Sequence, residues 1–518
     1  MKPLIGKYDS LIPLLLVCLF FTWKAIHFPA HDFANYYFGG KFLANGHFTS
    51  SVYFPYDFNK TIADLGFRNI FASYAPNTPF LALLFVPFSF LPLVVAKLTL
   101  NLLSILLFVY SLKRLVSFYK IEPVFLLLVP ILFFVPIKNE LLFGQVYFLL
   151  FFLIAESWLA YEKNQWVKMG IFLGVAVFLK VFPILLILVF VFKRQFRPIK
   201  YVLASCVILL LFSILFSGID IWIFYFKNVL PKASSGEISE AFVTNYQSVF
   251  MFLKQLLVYD SVLNPDVIRN APQTFQALII AFKIMLFSIG FYISRKANNS
   301  LFVISYWILA MVLLSPYGST YTFVLLLLPY FSLMKSALSS VKKILGCLFI
   351  FAVANLPLQA FISNAFPFSY LRLFALLLLF SLFLSWLYYT IEIKIVMISV
   401  AAGFAVAYFF PINKSENSSY LLGRDMPILI YDYRISKDLL TYYYWNETGK
   451  NSAFIPLENA LTKVGEVKEN QIFLDDKQLT FDTSYKEKPL LINNNTMLYL
   501  SDFDRGIGFY TLRKIDIR

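Results

Sequence analysis

Residues 10–26 read SLIPLLLVCLFFTWKAI, and residues 31–37 read HDFANYY. The first stretch is an uninterrupted apolar run with basic residues before it, long enough to enter a bilayer as a helix. No small-residue cleavage site closes it; Trp23 and Lys24 stand at its end and His27 just after, so it reads as a retained helix and not as a signal peptide. The second stretch puts a carboxylate, Asp32, where that helix ends, at the head of a long polar and aromatic segment. The other connections between apolar runs are nearly all short, so this charge stands out as a candidate site at the membrane face.

Composition carries the same reading through the chain. Hydrophobic residues make up 59%, aromatic residues 19% and charged residues 14%, with mean hydropathy +0.72. Soluble domains do not have this composition. Apolar runs recur up to Phe410, which predicts a polytopic α-helical membrane protein with about thirteen transmembrane helices. From Ile412 onward acidic and basic residues nearly cancel, so the net charge of +15 lies almost wholly in the preceding part. There the basic residues punctuate helices without forming a continuous face, and no nucleic-acid partner is expected. Cys18, Cys206 and Cys347 all fall in apolar runs, which suggests neither a disulfide framework nor a Cys-based metal site. No metal cluster, P-loop or dinucleotide glycine motif is legible, and no cofactor is expected.

Basic clusters at Lys113–Lys120, Lys193–Lys200, Arg295–Lys296 and Lys335–Lys343 are assigned to the cytoplasm. Asp32 and the segments 27–92 and 218–274 then lie outside. Two runs need breaks to satisfy this. Residues 78–112 split at Leu91-Pro92 into an interfacial or re-entrant helix, Pro79–Phe90, and a crossing, Leu93–Leu112. Residues 167–191 have basic flanks at both ends, and Pro183 breaks them into two short helices meeting on the outer side. Lys180 is carried to that break. The expected organisation is therefore a transmembrane domain, 1–411, and a small soluble β-rich extracytoplasmic domain, 412–518. Alternating runs such as Met426–Arg434 and Gln471–Leu474 predict its strands, and Asn493-Asn494-Asn495 a turn.

Several residues converge on the outer face. Asp32 is either a helix cap or a general base taking a proton from a hydroxyl, with His31, Tyr36 and Tyr37 beside it as walls of a sugar site. Lys180 is either a snorkelling lysine or a cation for a lipid-linked phosphate, because an ionisable group in an apolar run is a functional candidate by default. Gln145, in the expected turn Lys138–Gln145, is placed to bond a sugar hydroxyl; a plain solvated turn is the alternative. Asn77, Asn245, Gln247 and Tyr317 complete the substrate-binding set. Their convergence on one face is the signal of a site.

The Asp-x-x-x-Tyr segment at 32–36, the stretch PFLALLFVPFSFLP at 79–92, Gly144-Gln145, and Gly170–Gly174 leading to Leu179-Lys180-Val-Phe-Pro183 together resemble GT-C type, polyprenyl-phosphate-sugar-dependent glycosyltransferases. The similarity is greatest to the mannosyltransferase-like glycosyltransferase family 87 and covers roughly 1–335. The resemblance implies Asp32 as catalytic base and Lys180 as donor-phosphate contact. Tyr321 stands where relatives often carry a histidine, as a second donor-phosphate residue. It also implies an inverting transfer of one sugar, mannose or another hexose or pentose. The donor is a polyprenyl-phosphate sugar, a substrate and not a cofactor, and the acceptor is a glycan or glycolipid. The bilayer is a partner, the oligomeric state is open, and the setting is the extracytoplasmic face of a bacterial inner membrane. A transporter or flippase of lipid-linked sugars is the rival from another class, though no internal repeat supports it. An O-antigen polymerase or ligase is the rival enzyme, and a catalytically inert scaffold a third reading.

Overall fold

The computed structural model describes residues 9–243, 245–360, 362–363, 365–387, 393–410, 418–436, 439–446, 449–457, 463–493 and 495–517. The expected division at 411/412, the segment Met1–Lys7 and Asn494 of the expected turn lie outside these residues. Helices occupy the chain up to Phe409, and strands begin at Ser418.

Four described helices are long and apolar enough to cross a membrane: Leu93–Tyr119, Phe196–Ser217, Pro272–Lys296 and Phe368–Trp386. The pair Pro123–Leu132 and Phe134–Phe143, bent by 67°, makes a fifth if counted as one span. The other apolar helices are shorter, among them Pro79–Ser89, Trp166–Leu179, Phe182–Phe192, Ser300–Leu314 and Thr320–Lys335. Burial sorts them by position. Every residue from Leu301 to Leu313 is buried, as expected of a helix that is apolar all round and sits at the centre of a bundle. Phe196–Ser217 instead exposes Leu203, Val207, Ile208, Leu211 and Leu215, an apolar stripe that the described residues leave uncovered. It packs on Trp166–Leu179 through small residues. A Cβ at Gly170 would lie 2.6 Å from the Tyr201 carbonyl oxygen, and one at Gly174 would overlap the Ser205 hydroxyl. Small residues four apart let helix backbones approach this closely.

The breaks read from the sequence are present. Pro79–Ser89 ends before Leu93–Tyr119 begins, with Pro92 between them. Trp166–Leu179 stops at Lys180, whose backbone is extended (φ −147°, ψ 129°), and a tight helical turn, Phe182–Leu186, restarts the chain at Pro183.

Two expectations are corrected. The polar stretch that follows Asp32, expected as a loop, is largely helical. It forms helices Asp32–Ala44 and Pro55–Asp64 ahead of the expected Pro79–Ser89, and the face of Asp32–Ala44 that meets Pro79–Ser89 is buried. The expected turn Lys138–Gln145 is the end of helix Phe134–Phe143, closed by Gly144 in the left-handed region (φ 68°). Glu140 stays helical because its Oε1 accepts the Phe148 backbone N–H at 2.8 Å.

The C-terminal strands form three antiparallel sheets. The largest runs Ser418–Tyr420, Thr511–Asp516, Thr496–Ser501, Lys486–Asn493, Lys463–Val464. A meander of Leu429–Ser436, Leu439–Asn446 and Gly449–Pro456 makes the second, and Glu466–Lys468, Gln471–Leu474 and Lys477–Gln478 the third. The strand Thr496–Ser501 is buried on both faces. Leu498 and Leu500 pack with Ile430 and Leu440, while Met497 and Tyr499 pack with Ile472 and Ile515. That is the period-two alternation of a strand between two apolar layers.

Candidate active site

Asp32 opens its helix, and the residue before it carries the local strain. His31 has φ 48° and ψ −134°, outside the region ordinary residues prefer. Its ring stacks on Phe143, with centroids 4.0 Å apart and planes at 12°, and its Nδ1 lies 3.3 Å from Asp32 Oδ1. Asp32 Oδ2 accepts a hydrogen bond from Gln145 Nε2 at 2.6 Å. Gln145 Oε1 accepts one from the Tyr36 hydroxyl, also at 2.6 Å. Gln145 is thus fixed at both ends of its amide, with Asp32 and Tyr36 one helical turn apart. Gly144 makes this possible: besides its positive φ, a Cβ there would come within 2.7 Å of Phe33 Cβ.

Lys180 arrives from the broken helix. Its Nζ donates to Asn77 Oδ1 at 3.3 Å and lies 5.6 Å from the Tyr36 ring centroid and 5.9 Å from that of Tyr147. The segment carrying Asn77 is itself held. Tyr53 donates to the Asn77 carbonyl at 3.0 Å, and Thr78 donates to the Phe178 carbonyl at 2.6 Å, just before the break. Thr78 also caps Pro79–Ser89 by accepting from Leu81 N.

One cavity of about 620 Å³ collects these groups, a size ordinary for a small-molecule site. Asp32, Tyr36, Asn77, Gln145, Lys180, Tyr317 and Tyr321 all line it. Its lining also includes Phe182, Leu185, Phe287, Met311 and Val312, which come from the apolar helices, and Phe509 from the connection between strands Thr496–Ser501 and Thr511–Asp516. It therefore joins a carboxylate, an amide, an ammonium and phenols to an apolar surface continuous with the bundle. A ligand with an anionic or hydroxylated head and an apolar body fits that lining.

The remaining sequence candidates lie elsewhere. His31 supports Asp32 from outside the lining. Tyr37 is turned to the Leu91 carbonyl, which accepts from its hydroxyl at 2.9 Å. Asn245 is exposed. Gln247 is buried, donates to the Ser369 carbonyl at 2.9 Å, and leaves no room for a side chain at Gly318. Asn35, Ser73 and Tyr147 line the cavity but were not singled out from the sequence. Asn35 Oδ1 accepts from Ser73 N at 2.9 Å. Its spacing of three from Asp32 on one helix was the available signal. Among the described residues no group of His, Cys, Asp and Glu could hold a metal ion.

Apolar helices long enough to cross a bilayer define the class as a membrane protein, with a cavity that joins acid, cation and apolar wall. Residues 75–316 match the family model of glycosyltransferase family 87, so the resemblance read from the sequence is found over that segment, and the match supports the class of a membrane glycosyltransferase. Lys180, Asn77 and Gln145 fall inside the match; Asp32, Tyr36, Tyr321 and the C-terminal sheets fall outside it. No curated protein matches the chain.

Proposed function

We propose that this chain moves a single sugar, mannose or another hexose or pentose, from a polyprenyl-phosphate donor to a glycan or glycolipid acceptor, with inversion at the anomeric carbon. Asp32 takes the proton of the acceptor hydroxyl as that oxygen bonds to the anomeric carbon. The bond from the anomeric carbon to the phosphate oxygen breaks, and the lipid phosphate leaves with the electron pair. Lys180 faces the charge that develops on it, with Tyr321 beside it. Preorganised groups aimed at developing charge are commonly the largest catalytic contribution.

The observation that carries this reading is that Asp32 and Lys180 line one cavity whose wall continues into the apolar bundle. A base and a phosphate-binding cation at the two ends of a reacting bond need that proximity, and an isoprenoid needs that wall. In this reading about thirteen crossings, several of them broken, carry the site at the outer face of a bacterial inner membrane. Residues 412–518 then form an extracytoplasmic domain on the same side.

The test is transfer of radiolabelled sugar from synthetic polyprenyl-phosphate-mannose to a membrane extract by purified wild type and Asp32→Asn. Transfer by the wild type, lost in a folded variant, supports donor class and base together. Equal transfer by both removes Asp32 from the mechanism. Absence of transfer with mannosyl, other hexosyl and pentosyl donors removes the polyprenyl-phosphate assignment.

A further inference from the structure

The C-terminal sheets do not stand apart from the cavity. The connection between strands Thr496–Ser501 and Thr511–Asp516 is a compact turn, 502–510, that reaches into the helical region. Asp502 is its root. This buried carboxylate takes hydrogen bonds from Tyr485 N and Gly508 N, each at 2.8 Å, and from Lys232 Nζ at 2.8 Å. Lys232 also donates to the Arg505 carbonyl at 3.2 Å, so one ammonium from segment 218–274 holds the first half of the turn at two points. Asp504 pairs with Lys254 at 2.7 Å.

The closest approach is between backbones. Gly506 N donates to the Ser239 carbonyl at 2.9 Å, and a Cβ on Gly506 would overlap the Ile238 carbonyl oxygen. At Gly508 a positive φ of 68° coincides with contact to Phe54, 2.9 Å from where a Cβ would sit. Two glycines with different steric reasons allow the turn to seat fully. Its product is the placement of Phe509, which is only 3% exposed and lines the cavity that holds Asp32 and Lys180.

We infer that Phe509, carried by the turn 502–510, is a specificity-determining residue that shapes the acceptor side of the cavity. This rests on the proposed transfer reaction. In that reaction the lipid donor enters between apolar helices, the source of Phe182, Phe287 and Met311. The wall made by Phe509, Ile238 and Ser239 comes instead from polar connections and from the sheets, none of which lies on an apolar helix. A substrate meeting that wall comes from the aqueous or interfacial side. An aromatic face there suits the apolar face of a sugar ring, which presents C–H groups to stack while its hydroxyls turn to Asp32 and Gln145.

The experiment compares wild type, Phe509→Ala and Phe509→Leu, using radiolabelled polyprenyl-phosphate-mannose and graded amounts of membrane extract as the acceptor source. Phe509→Ala is expected to raise the extract giving half-maximal transfer by roughly tenfold, with half-saturating donor and maximal rate within about twofold, the pattern of lost binding to one substrate. Phe509→Leu, which refills the wall, recovers most of the loss. Parallel loss in donor and acceptor parameters, or no loss, overturns the inference.

A second arm needs no turnover. In a background with Cys18, Cys206 and Cys347 replaced by alanine, the thiol introduced by Phe509→Cys is labelled with a maleimide. Protection by extract supports the assignment. Protection by polyprenyl phosphate but not by extract, or by neither, overturns it. If wild type transfers no sugar, the donor reading fails on that result alone and the labelling arm still decides this one.

Discussion

Asp32 is oriented through a neutral amide. Gln145 donates to one carboxylate oxygen while accepting from Tyr36, which fixes the carboxylate in direction without placing a full counter-charge on it. A general base wants this arrangement, since its charge must stay available for the proton it takes. Asp32→Asn keeps the shape and removes the base, so transfer should fall by about 10²–10⁴-fold, the usual range for such a group, with thermal stability in detergent unchanged. An equal fall in stability would make Asp32 a structural cap instead. Asp32 and Lys180 were legible because a charge in or beside an apolar run is costly and therefore conspicuous. Phe509 was not, because one phenylalanine among 60 carries no local sign of what it faces. His31 and Tyr37 were read as ligands from their places beside Asp32, and Gln247 from its place in segment 218–274; packing turned each toward its own neighbours.

At the level of elements, the break at Lys180 takes the backbone out of the helix there (φ −147°, ψ 129°) and places the ammonium at the cavity. Its bond to Asn77 uses one of its three N–H donors. Lys180→Met should therefore lower transfer by roughly a hundredfold, the scale of one lost electrostatic contact at a developing charge. Lys180→Arg, which keeps the charge, should recover part of it. Similar loss in both would mean that packing at the break, and not charge, is what matters there. Pro92 and Pro183 made the breaks legible, because a missing donor and a fixed φ act locally. Helices Asp32–Ala44 and Pro55–Asp64 were missed because they are short, and their burial comes from tertiary packing that no local pattern declares. The helix end at 134–143 was misread for a related reason: Lys138-Asn139-Glu140 resembles a solvated turn until Phe148 N is seen to satisfy Glu140.

A pH response also belongs to an element. Burial pushes the Asp482 carboxyl up, but hydrogen bonds from Ser484 and the buried Lys486 ammonium, 2.9 Å away, outweigh it and hold the group below the usual carboxylate range. The folded chain thus binds fewer protons here than the unfolded chain. Its stabilisation is full above the ordinary aspartate value near 3.9 and is lost as pH falls below it. Hydrogen exchange across strands Gln471–Leu474 and Lys486–Asn493 should rise as pH drops below about 4 after correction for intrinsic rates. Asp482→Asn should raise it already at neutral pH, costing about 3 kcal/mol by stranding the ammonium. Unchanged protection in that variant would remove the pair as a stabilising element.

Across the whole molecule, helices and sheets share one cavity, and the seam between them combines the ion pairs of Asp502 and Asp504 with Lys232 and Lys254 and a backbone contact at Gly506. Gly506→Ala should unseat the turn 502–510 and speed limited proteolysis between Ser436 and Arg513. The helical bundle should keep most of its own melting behaviour, since its apolar core is built almost wholly from helical residues, with Ile507 of the turn packed at its edge. Proteolysis at the wild-type rate would show that the turn tolerates the methyl group and that the seam is looser than described. The two architectural classes were legible from composition alone, because apolar runs and alternating strands differ over tens of residues. Their junction was not. A carbonyl meeting a glycine N–H leaves no mark in side-chain pattern, so the tail read as an appendage with no assignable part.

The seating of Phe509 also has a consequence for how the molecule is made. The chain leaves the ribosome from its N-terminus, so Asp32, Gln145 and Lys180 are in place hundreds of residues before the last wall of their cavity exists. Until 502–510 has been synthesised and brought to the same face as segment 218–274, the cavity stands open beside Ile238 and Ser239. Maturation of the site is therefore a late event in biogenesis, set by delivery of the final strands and not by insertion of the helices.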